Sequence, residues 1–385
     1  MRISTLFAAA LMLAVTALPA AASAVQPATF TLPHPTGRSP VGVVDLHLVD
    51  EGRPDPWVAG RTRELMTSIW YPAATATGPR APYLQPAVAA TLDKSGALDV
   101  IRPGTVDWAG PRTDGYVAAP PATTVGARPV VLYSPGFGVP RVLGTTMAQE
   151  LASRGYVVVT VDHTYENAPI AFPDGRVTGQ QLPPASPERL KKALAVRVQD
   201  TRFVLDELAR IRRGHTALGR LLDLDHVGMF GHSAGGIEAL ETMRVDRRVR
   251  AGVDLDGTLQ YAEGDFVRVA TTGLERPFLL MGAGASQTHR TNPSWRSLWT
   301  RSTGKKLDVN APLAGHYSYT DLQTVLPQLD QVLGIPPAAR AGFIGTVDPA
   351  GMLAAQRAYL VAFFDEHLRG IRRPAPQFPD LRPVG

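Results

Sequence analysis

The sequence predicts an α/β fold in which a mostly parallel central sheet is covered by helices on both faces. Short apolar runs at residues 129–133 and 156–161 alternate along the chain with helical patterns. The second run, YVVVTV, is rich in β-branched residues, which is typical of a strand buried on both faces. Strands that alternate with helices in this way favour a parallel sheet.

The elements after residue 129 continue this alternation. A helix is predicted to start at Ser186 and Pro187, a suitable N-cap and first-turn pair, and to end at Gly214. Further strands are predicted at residues 227–230, 251–255, 277–281 and 306–309, and further helices at residues 236–243 and around residues 353–368.

Two strands are predicted ahead of this core. Val44, Leu46 and Leu48 alternate with polar residues, as in a half-buried antiparallel strand, and residues 65–71 form a second apolar run. Residues 73–128 are rich in Ala, Pro, Gly and Thr with weak periodicity. We expect this stretch to be an excursion over the surface, with a lid as one role, inside a single domain spanning residues 25–385.

The first 24 residues resemble a secretory signal peptide. Arg2 supplies a positive start, residues 6–18 are an apolar run, and Ala22-Ser23-Ala24 is a small-x-small cleavage pattern. A helix needs about 20 apolar residues to span a bilayer, which this run does not reach. We therefore expect cleavage after Ala24 and a secreted protein without a transmembrane segment.

Composition and charge exclude several classes of function. The chain has no cysteine, which rules out disulfides, a cysteine nucleophile and thiolate metal sites. Its formal net charge of +5 is scattered in short basic pairs interleaved with acids. Because a nucleic-acid binder concentrates its positive charge on one face, no nucleic-acid partner is expected.

A candidate nucleophile lies in Gly231-His232-Ser233-Ala234-Gly235. This segment follows a predicted strand and opens a predicted helix, as the G-x-S-x-G nucleophile elbow of an α/β hydrolase requires. Ser233 is then the nucleophile. The expected oxyanion donors are the backbone N–H of Ala234 and that of Phe137, in the glycine-containing loop after an earlier strand.

A serine nucleophile needs a histidine that accepts its proton and a carboxylate that orients the histidine. In this fold both residues should follow the serine in the chain. Among the downstream histidines, His316 is favoured because its loop follows the strand at residues 306–309; His289 is the alternative, and His367 is expected to be exposed. Asp256 is favoured over Asp254 as the acid because it lies nearer the carboxyl end of its strand, where ligands bind. Asp308 is expected to be structural.

Taken together, these segments resemble the platelet-activating factor acetylhydrolase family of the plasma and isoform II type, including its bacterial members. The matching residues are Pro40-Val41-Gly42, Trp70-Tyr71-Pro72, residues 134–138, Val161-Asp162-His163, residues 231–236, Leu255-Asp256-Gly257 and residues 315–321. The resemblance covers most of the chain after residue 24. It implies an α/β-hydrolase fold, Asp256 as the acid beside Ser233 and His316, and calcium-independent hydrolysis of short-acyl phospholipid esters without a cofactor.

Other functions on the same scaffold stay open from the sequence. A general lipase, a polyester hydrolase and a peptidase are alternatives, as is a catalytically silent binding protein. The expected partner is a small-molecule or lipid ester, with transient contact to a lipid surface and with no metal. Trp295 and Trp299 are predicted to border the acyl pocket and keep it shallow; the alternative is that both pack a short helix against the core.

Overall fold

The computed structural model describes residues 26–166 and 169–385. The expected signal peptide at residues 1–24 lies outside the described residues, so its cleavage stays a prediction. Within the described ranges, no helix has the length and apolar character needed to cross a bilayer.

Fifteen strands and ten helices make up the described chain, besides three short 3-10 turns. The strands are β1 (Val41–Pro54), β2 (Thr62–Pro72), β3 (Arg80–Pro82), β4 (Arg112–Val117), β5 (Arg128–Ser134), β6 (Val157–Asp162), β7 (Ile170–Ala171), β8 (Val177–Thr178), β9 (Leu222–His232), β10 (Val249–Leu255), β11 (Gln260–Ala262), β12 (Asp265–Phe266), β13 (Phe278–Ala283), β14 (Lys306–Ala311) and β15 (Arg382–Pro383).

The helices are α1 (Pro86–Ser95), α2 (Thr145–Ser153), α3 (Pro187–Arg213), α4 (Ala217–Leu221), α5 (Ala234–Val245), α6 (Arg268–Thr272), α7 (Pro293–Arg301), α8 (Leu322–Leu333), α9 (Pro337–Ile344) and α10 (Pro349–Arg369). The predicted start of α3 is confirmed, because the Ser186 hydroxyl accepts a hydrogen bond from the Arg189 N–H at 3.1 Å. The helix ends where predicted, before Gly214.

The predicted mostly parallel sheet is confirmed. Eleven strands lie in the order β15-β14-β13-β10-β9-β5-β6-β2-β1-β4-β3. The six strands from β14 to β6 are parallel to one another, whereas β15 pairs antiparallel with β14, and β2 pairs antiparallel with both β6 and β1. In an open parallel sheet, the carboxyl ends of the strands form the edge where ligands bind.

Helices cover both faces of the sheet, and successive side chains of a strand point to opposite faces. Val131 and Tyr133 of β5 belong to the hydrophobic cluster that α2 and α10 complete. Val130 and Leu132 belong to the opposite cluster, which α3, α5, α6 and α7 complete. This alternation follows from the two-residue period of a strand.

The stretch at residues 73–128 differs from the expected surface excursion. Its strands β3 and β4 extend the central sheet, with β4 parallel to β1. Its apolar side chains form a third cluster with the chain near Phe30 and with α8. The sequence signal was weak because β3 at the sheet edge and β4 beside it are short, and the single helix, α1, has only ten residues.

The third cluster generates a stability prediction. Leu326 on α8 is fully buried in it, whereas Val332 on the same helix is exposed. We expect Leu326→Ala to lower the free energy of unfolding by about 2–5 kcal/mol, since it removes buried contacts and leaves a cavity. Val332→Ala is the matched control and should change it by less than about 0.5 kcal/mol. Urea unfolding measures both; equal effects would contradict the packing described.

Candidate active site

Ser233 occupies a tight turn between strand β9 and helix α5. Strand β9 ends at His232 and α5 begins at Ala234, so one residue makes the connection. Ser233 has a φ of 55°, a conformation that non-glycine residues adopt rarely and that is found in strand-to-helix elbows. Its N–H donates to the carbonyl oxygen of Leu255 at 2.8 Å, which fixes the turn against β10.

Two glycines allow the loop after β5 to lie directly against this turn. A Cβ at Gly235 would approach the carbonyl oxygen of Ser134 to 2.0 Å, so any other residue would push the loop away. A Cβ at Gly136 would lie 3.2 Å from the Cβ of Ser233. The loop at residues 134–138 and the Ser233 turn are therefore in contact.

Asp256 and His316 form a close pair. Asp256 follows the last residue of β10, and His316 starts the 3-10 turn His316–Tyr319. The Asp256 Oδ2 lies 2.5 Å from the His316 Nδ1, and the Asp256 Oδ1 accepts from the Ala283 N–H at 2.7 Å. Burial raises the pKa of Asp256, and the hydrogen bond from His316 works in the opposite direction.

One cavity of about 300 Å³ joins these groups. Ser233, Asp256 and His316 all line it, and so do Phe137 and Ala234. The backbone N–H groups of Phe137 and Ala234 donate to no acceptor among the described residues. The structure thus brings the five predicted residues to the rim of a single cavity, at the carboxyl ends of the parallel strands.

The alternative acid and bases lie in other environments. Asp254 is fully buried, where its Oδ1 accepts from the Gly257 N–H at 2.8 Å and burial raises its pKa well above the ordinary value. The His289 Nδ1 lies 2.7 Å from the Asp308 Oδ2. The ring of His367 contacts that of Phe363. The lining of the Ser233 cavity includes none of the four titratable side chains, which are Asp254, His289, Asp308 and His367.

The prediction that Trp295 and Trp299 border the acyl pocket is wrong. Trp295 is fully buried and its Nε1–H donates to the carbonyl oxygen of Gly257 at 2.7 Å. Trp299 stacks on His289, with ring centroids 4.1 Å apart. The two residues lie on α7, whose apolar side packs into the core, so the alternative interpretation of these tryptophans is the correct one.

The walls of the cavity come from segments that the sequence did not single out. Helix α3 and the hairpin β11–β12 with its flanks supply most of the apolar surface, and the loop after β13 adds polar groups. The wall residues besides the five above are Leu190, Leu194, Arg197, Ile237, Thr258, Gln260, Tyr261, Val267, Ala283, Ser286 and Gln287. The sequence did not indicate that these residues line one cavity, because they come together only when α3 and the β11–β12 hairpin pack against the sheet.

His232 is a further residue of the site that sequence reasoning missed. It is fully buried, and its Nε2 lies 2.8 Å from the carbonyl oxygen of His316. Burial lowers the pKa of His232 to about 3, with the neighbouring His316 adding to the effect. A neutral imidazole donates from one nitrogen only, and here the Nε2–H binds the backbone of His316.

Six charged side chains form a buried ion network beneath the loop at residues 134–138. All six are fully buried. They are Arg63, His163, Glu166, Arg197, Asp200 and Glu238. With His163 protonated, these six side chains comprise three cations and three anions. Asp55, paired with Arg63, and Arg53, paired with Asp200, add one charge of each sign at the edge of the network, so the charges balance. Buried charges are tolerated when they are paired in this way.

His163 is the titratable centre of this network. Its Nδ1 lies 2.9 Å from the Asp200 Oδ2 and its Nε2 lies 3.2 Å from the Glu238 Oε2, so both ring nitrogens face carboxylates. Burial disfavours the imidazolium, but the charge of Glu238 and the hydrogen bonds to both carboxylates outweigh burial and raise the pKa of His163 to about 9.

Among the described residues, no group of three His, Asp or Glu side chains is placed to hold a metal ion. The cavity combines a serine on a strained turn, a histidine hydrogen-bonded to a carboxylate, and two backbone N–H groups that have no acceptor among the described residues. This combination is chemically suited to acyl transfer.

Comparisons with known proteins find similarity to ester hydrolases. The family model of platelet-activating factor acetylhydrolase, isoform II, matches residues 110–176. A probable 1-alkyl-2-acetylglycerophosphocholine esterase of Arthroderma benhamiae is 29% identical over 267 residues, which is 66% of this chain and 65% of the relative. The platelet-activating factor acetylhydrolase of Cavia porcellus is 27% identical over 150 residues, which is 33% of this chain and 34% of the relative.

A solved structure matches over a longer range. The ferulic acid esterase from Streptomyces cinnamoneus is 37% identical, with a TM-score of 0.77, and the match covers 92% of this chain and 99% of that one. Fold and relatives together define the class of protein, an ester hydrolase with the α/β-hydrolase fold. Within that class, the family model and the fungal and mammalian relatives show that the chain is similar to the platelet-activating factor acetylhydrolase family of the isoform II type. The chain spans just under two thirds of the fungal relative and about one third of the mammalian one.

The raised pKa of His163 generates a prediction for stability against pH. The unfolded chain releases this proton near pH 6.5 and the folded chain near pH 9. The stabilisation is therefore complete below about pH 6.5 and is lost as pH rises to about 9. We expect the free energy of unfolding to fall by up to about 1.4 kcal/mol per pH unit in that window.

The measurement is urea unfolding at half-unit steps from pH 6 to pH 9.5. His163→Gln should flatten the decline, and His34→Gln, at an exposed histidine, should leave it unchanged. An equally steep decline in the His163→Gln variant would show that another group causes it.

Proposed function

We propose that the protein hydrolyses carboxylic esters through an acyl-enzyme on Ser233, with His316 as the general base and Asp256 as its orienting acid. The observation that carries the proposal is the 2.5 Å pair of Asp256 and His316 on the same cavity as the elbow serine. An adjacent oriented base is what converts a weakly nucleophilic hydroxyl into a nucleophile.

In the first half of the proposed reaction, Ser233 attacks the ester carbonyl while His316 accepts its proton at Nε2. Asp256 holds the Nδ1–H and stabilises the imidazolium that forms. The developing oxyanion accepts hydrogen bonds from the N–H groups of Phe137 and Ala234. His316 then protonates the leaving alcohol, and water repeats the sequence to release the acid.

For the substrate, we propose a short-acyl lipid ester, as the names of the fungal and mammalian relatives suggest. The size of the cavity, about 300 Å³, supports a short acyl group. Each methylene that a pocket buries contributes about 0.8 kcal/mol, so a deep pocket would favour long chains steeply. We also propose that the protein contacts a lipid surface transiently. Residues 1–24 are proposed to direct its export.

An aromatic acyl ester is the second candidate substrate. The observation in its favour is the match to a ferulic acid esterase over almost the whole chain. The cavity also combines an apolar wall, including Leu194 and Val267, with polar side chains such as Gln260 and Tyr261. This combination suits a planar acyl group that carries polar substituents.

Substitutions in the proposed triad generate one prediction. Ser233→Ala should lower kcat by about 10⁴–10⁶. Asp256→Asn should lower it by about 10⁴, because the amide favours the wrong tautomer of His316. Asp254→Asn is the matched control and should stay near the wild-type rate, since the raised pKa of Asp254 already favours the neutral carboxyl form.

The measurement is steady-state hydrolysis of p-nitrophenyl acetate, with circular dichroism to check the fold. A Ser233→Ala variant that keeps more than a tenth of the wild-type rate would remove Ser233 from its role. If Asp254→Asn were the slower aspartate variant, Asp254 would be the acid.

A substrate panel generates the next prediction. The panel consists of p-nitrophenyl esters from C2 to C16, a short-acyl phosphatidylcholine and methyl ferulate. We expect kcat/KM to be highest at C2 to C4 and to fall toward C16, with the phospholipid cleaved at its short chain. A steady rise to C16 would indicate a lipase instead. Preference for methyl ferulate over both the acetyl ester and the phospholipid would select the aromatic candidate.

A further inference from the structure

Arg197 lies at the junction between the cavity and the buried ion network. It belongs to α3, its side chain is fully buried, and it faces the loop at residues 134–138. Its Nη1 donates to the carbonyl oxygen of Pro135 at 2.6 Å, and its Nη2 donates to that of Gly136 at 3.3 Å. One guanidinium therefore binds two successive carbonyl groups of the loop.

These bonds fix the direction of the next N–H group. The described residues contain no cis peptide bond, so the peptide between Gly136 and Phe137 is trans. In a trans peptide, the C=O and the N–H point in opposite directions. Because the Gly136 carbonyl points at Arg197, the Phe137 N–H points away from it. That N–H donates to no other described group, and the loop contacts the Ser233 turn.

We propose that Arg197 is a positioning residue for ester hydrolysis, which orients the Phe137 N–H toward the oxyanion by holding the Pro135 and Gly136 carbonyls from behind. The inference rests on the proposed function of the cavity. It adds a residue that makes no bond to the substrate and acts through the backbone of the loop.

Arg197 is itself held from three sides. Its Nε donates to the Glu166 Oε2 at 2.7 Å, and its guanidinium lies 4.7 Å from the centre of the Phe137 ring. Glu238 lies 3.7 Å from its Nη1, and the Ser134 hydroxyl donates to Glu238 at 2.5 Å. The planar guanidinium can donate hydrogen bonds to the carboxylate and to both carbonyls at once. A lysine ammonium on a flexible chain cannot bind all three acceptors in the same geometry.

A purely structural role for Arg197 makes a different prediction from a positioning role. Loss of an ion pair alone would lower stability and leave the rate of the folded fraction unchanged. Misorientation of the Phe137 N–H would lower the rate and weaken binding of the tetrahedral oxyanion in proportion, with little change in binding of the flat ester.

The test compares Arg197→Lys and Arg197→Gln with Arg202→Lys and Arg202→Gln. Arg202 lies on the same helix, is mostly exposed and pairs with Asp246 outside the cavity. The measurements are kcat and KM for p-nitrophenyl acetate, their pH dependence, and the inhibition constant of a methyl trifluoromethyl ketone, which forms a tetrahedral oxyanion adduct with a serine. Urea unfolding reports the folded fraction under assay conditions.

We expect kcat/KM to fall by about 10–10³-fold in both Arg197 variants, since loss of one oxyanion donor costs about 10²–10³. The inhibition constant of the ketone should rise by the same factor. KM should stay within about threefold, and the pH profile should not move because His316 is unchanged. The Arg202 variants should match the wild type.

Wild-type kcat/KM in folded Arg197→Lys would overturn the proposal, as would a lower rate with an unchanged inhibition constant. Arg197→Lys keeps the buried charge, so it decides the question if Arg197→Gln fails to fold. Ser233→Ala distinguishes a failure of the proposed ester hydrolysis at Ser233 from a failure of the role proposed for Arg197. Retained activity in that variant would overturn the proposed function, whereas its inactivity beside a fully active Arg197→Lys would overturn the role of Arg197 alone.

Discussion

The arrangement of the cavity depends on the pairing of charges that have been removed from water. Arg63, His163, Asp200, Glu238, Arg197 and Glu166 are fully buried, and an unpaired charge at such depth would be costly. The paired charges come from β2, α3, α5 and the segment after β6, so their pairing restricts how these elements can lie relative to one another. The loop at residues 134–138 is then attached to this arrangement through its carbonyl oxygens. The ion network therefore defines where the backbone beside Ser233 lies.

The parts of the structure that the sequence predicted are those encoded by local pattern. The central strands, the capped start of α3 and the turn at Ser233 each have a signal within about ten residues, and all appear as predicted. The proximity of Asp256 and His316 was also predictable, because the order of groups along the chain and their positions after strands restrict which residues can meet. Strands β3 and β4 and helices α8 and α9 had no comparable signal.

The remaining features depend on packing between distant segments. Trp295 resembles a pocket residue in sequence because an aromatic side chain follows a polar loop, but α7 turns that side chain into the core. Arg197 and His232 gave no signal because the groups that hold them at the site include backbone carbonyls, which every residue possesses. Two aspartate–histidine pairs, Asp256–His316 and Asp308–His289, show the same limit. In the structure, only Asp256–His316 lines the cavity of Ser233, and which pair reaches that cavity depends on the fold.

The hydrogen bond from His232 to the carbonyl oxygen of His316 has a mechanical consequence. It joins the last residue of the strand before Ser233 to a loop that lies 84 positions later in the chain. Loops of this kind fluctuate more than the strands they follow. Here a displacement of the loop must either move the serine turn as well or break this partly buried hydrogen bond. The bond thus couples the two segments and opposes changes in the spacing between serine and histidine.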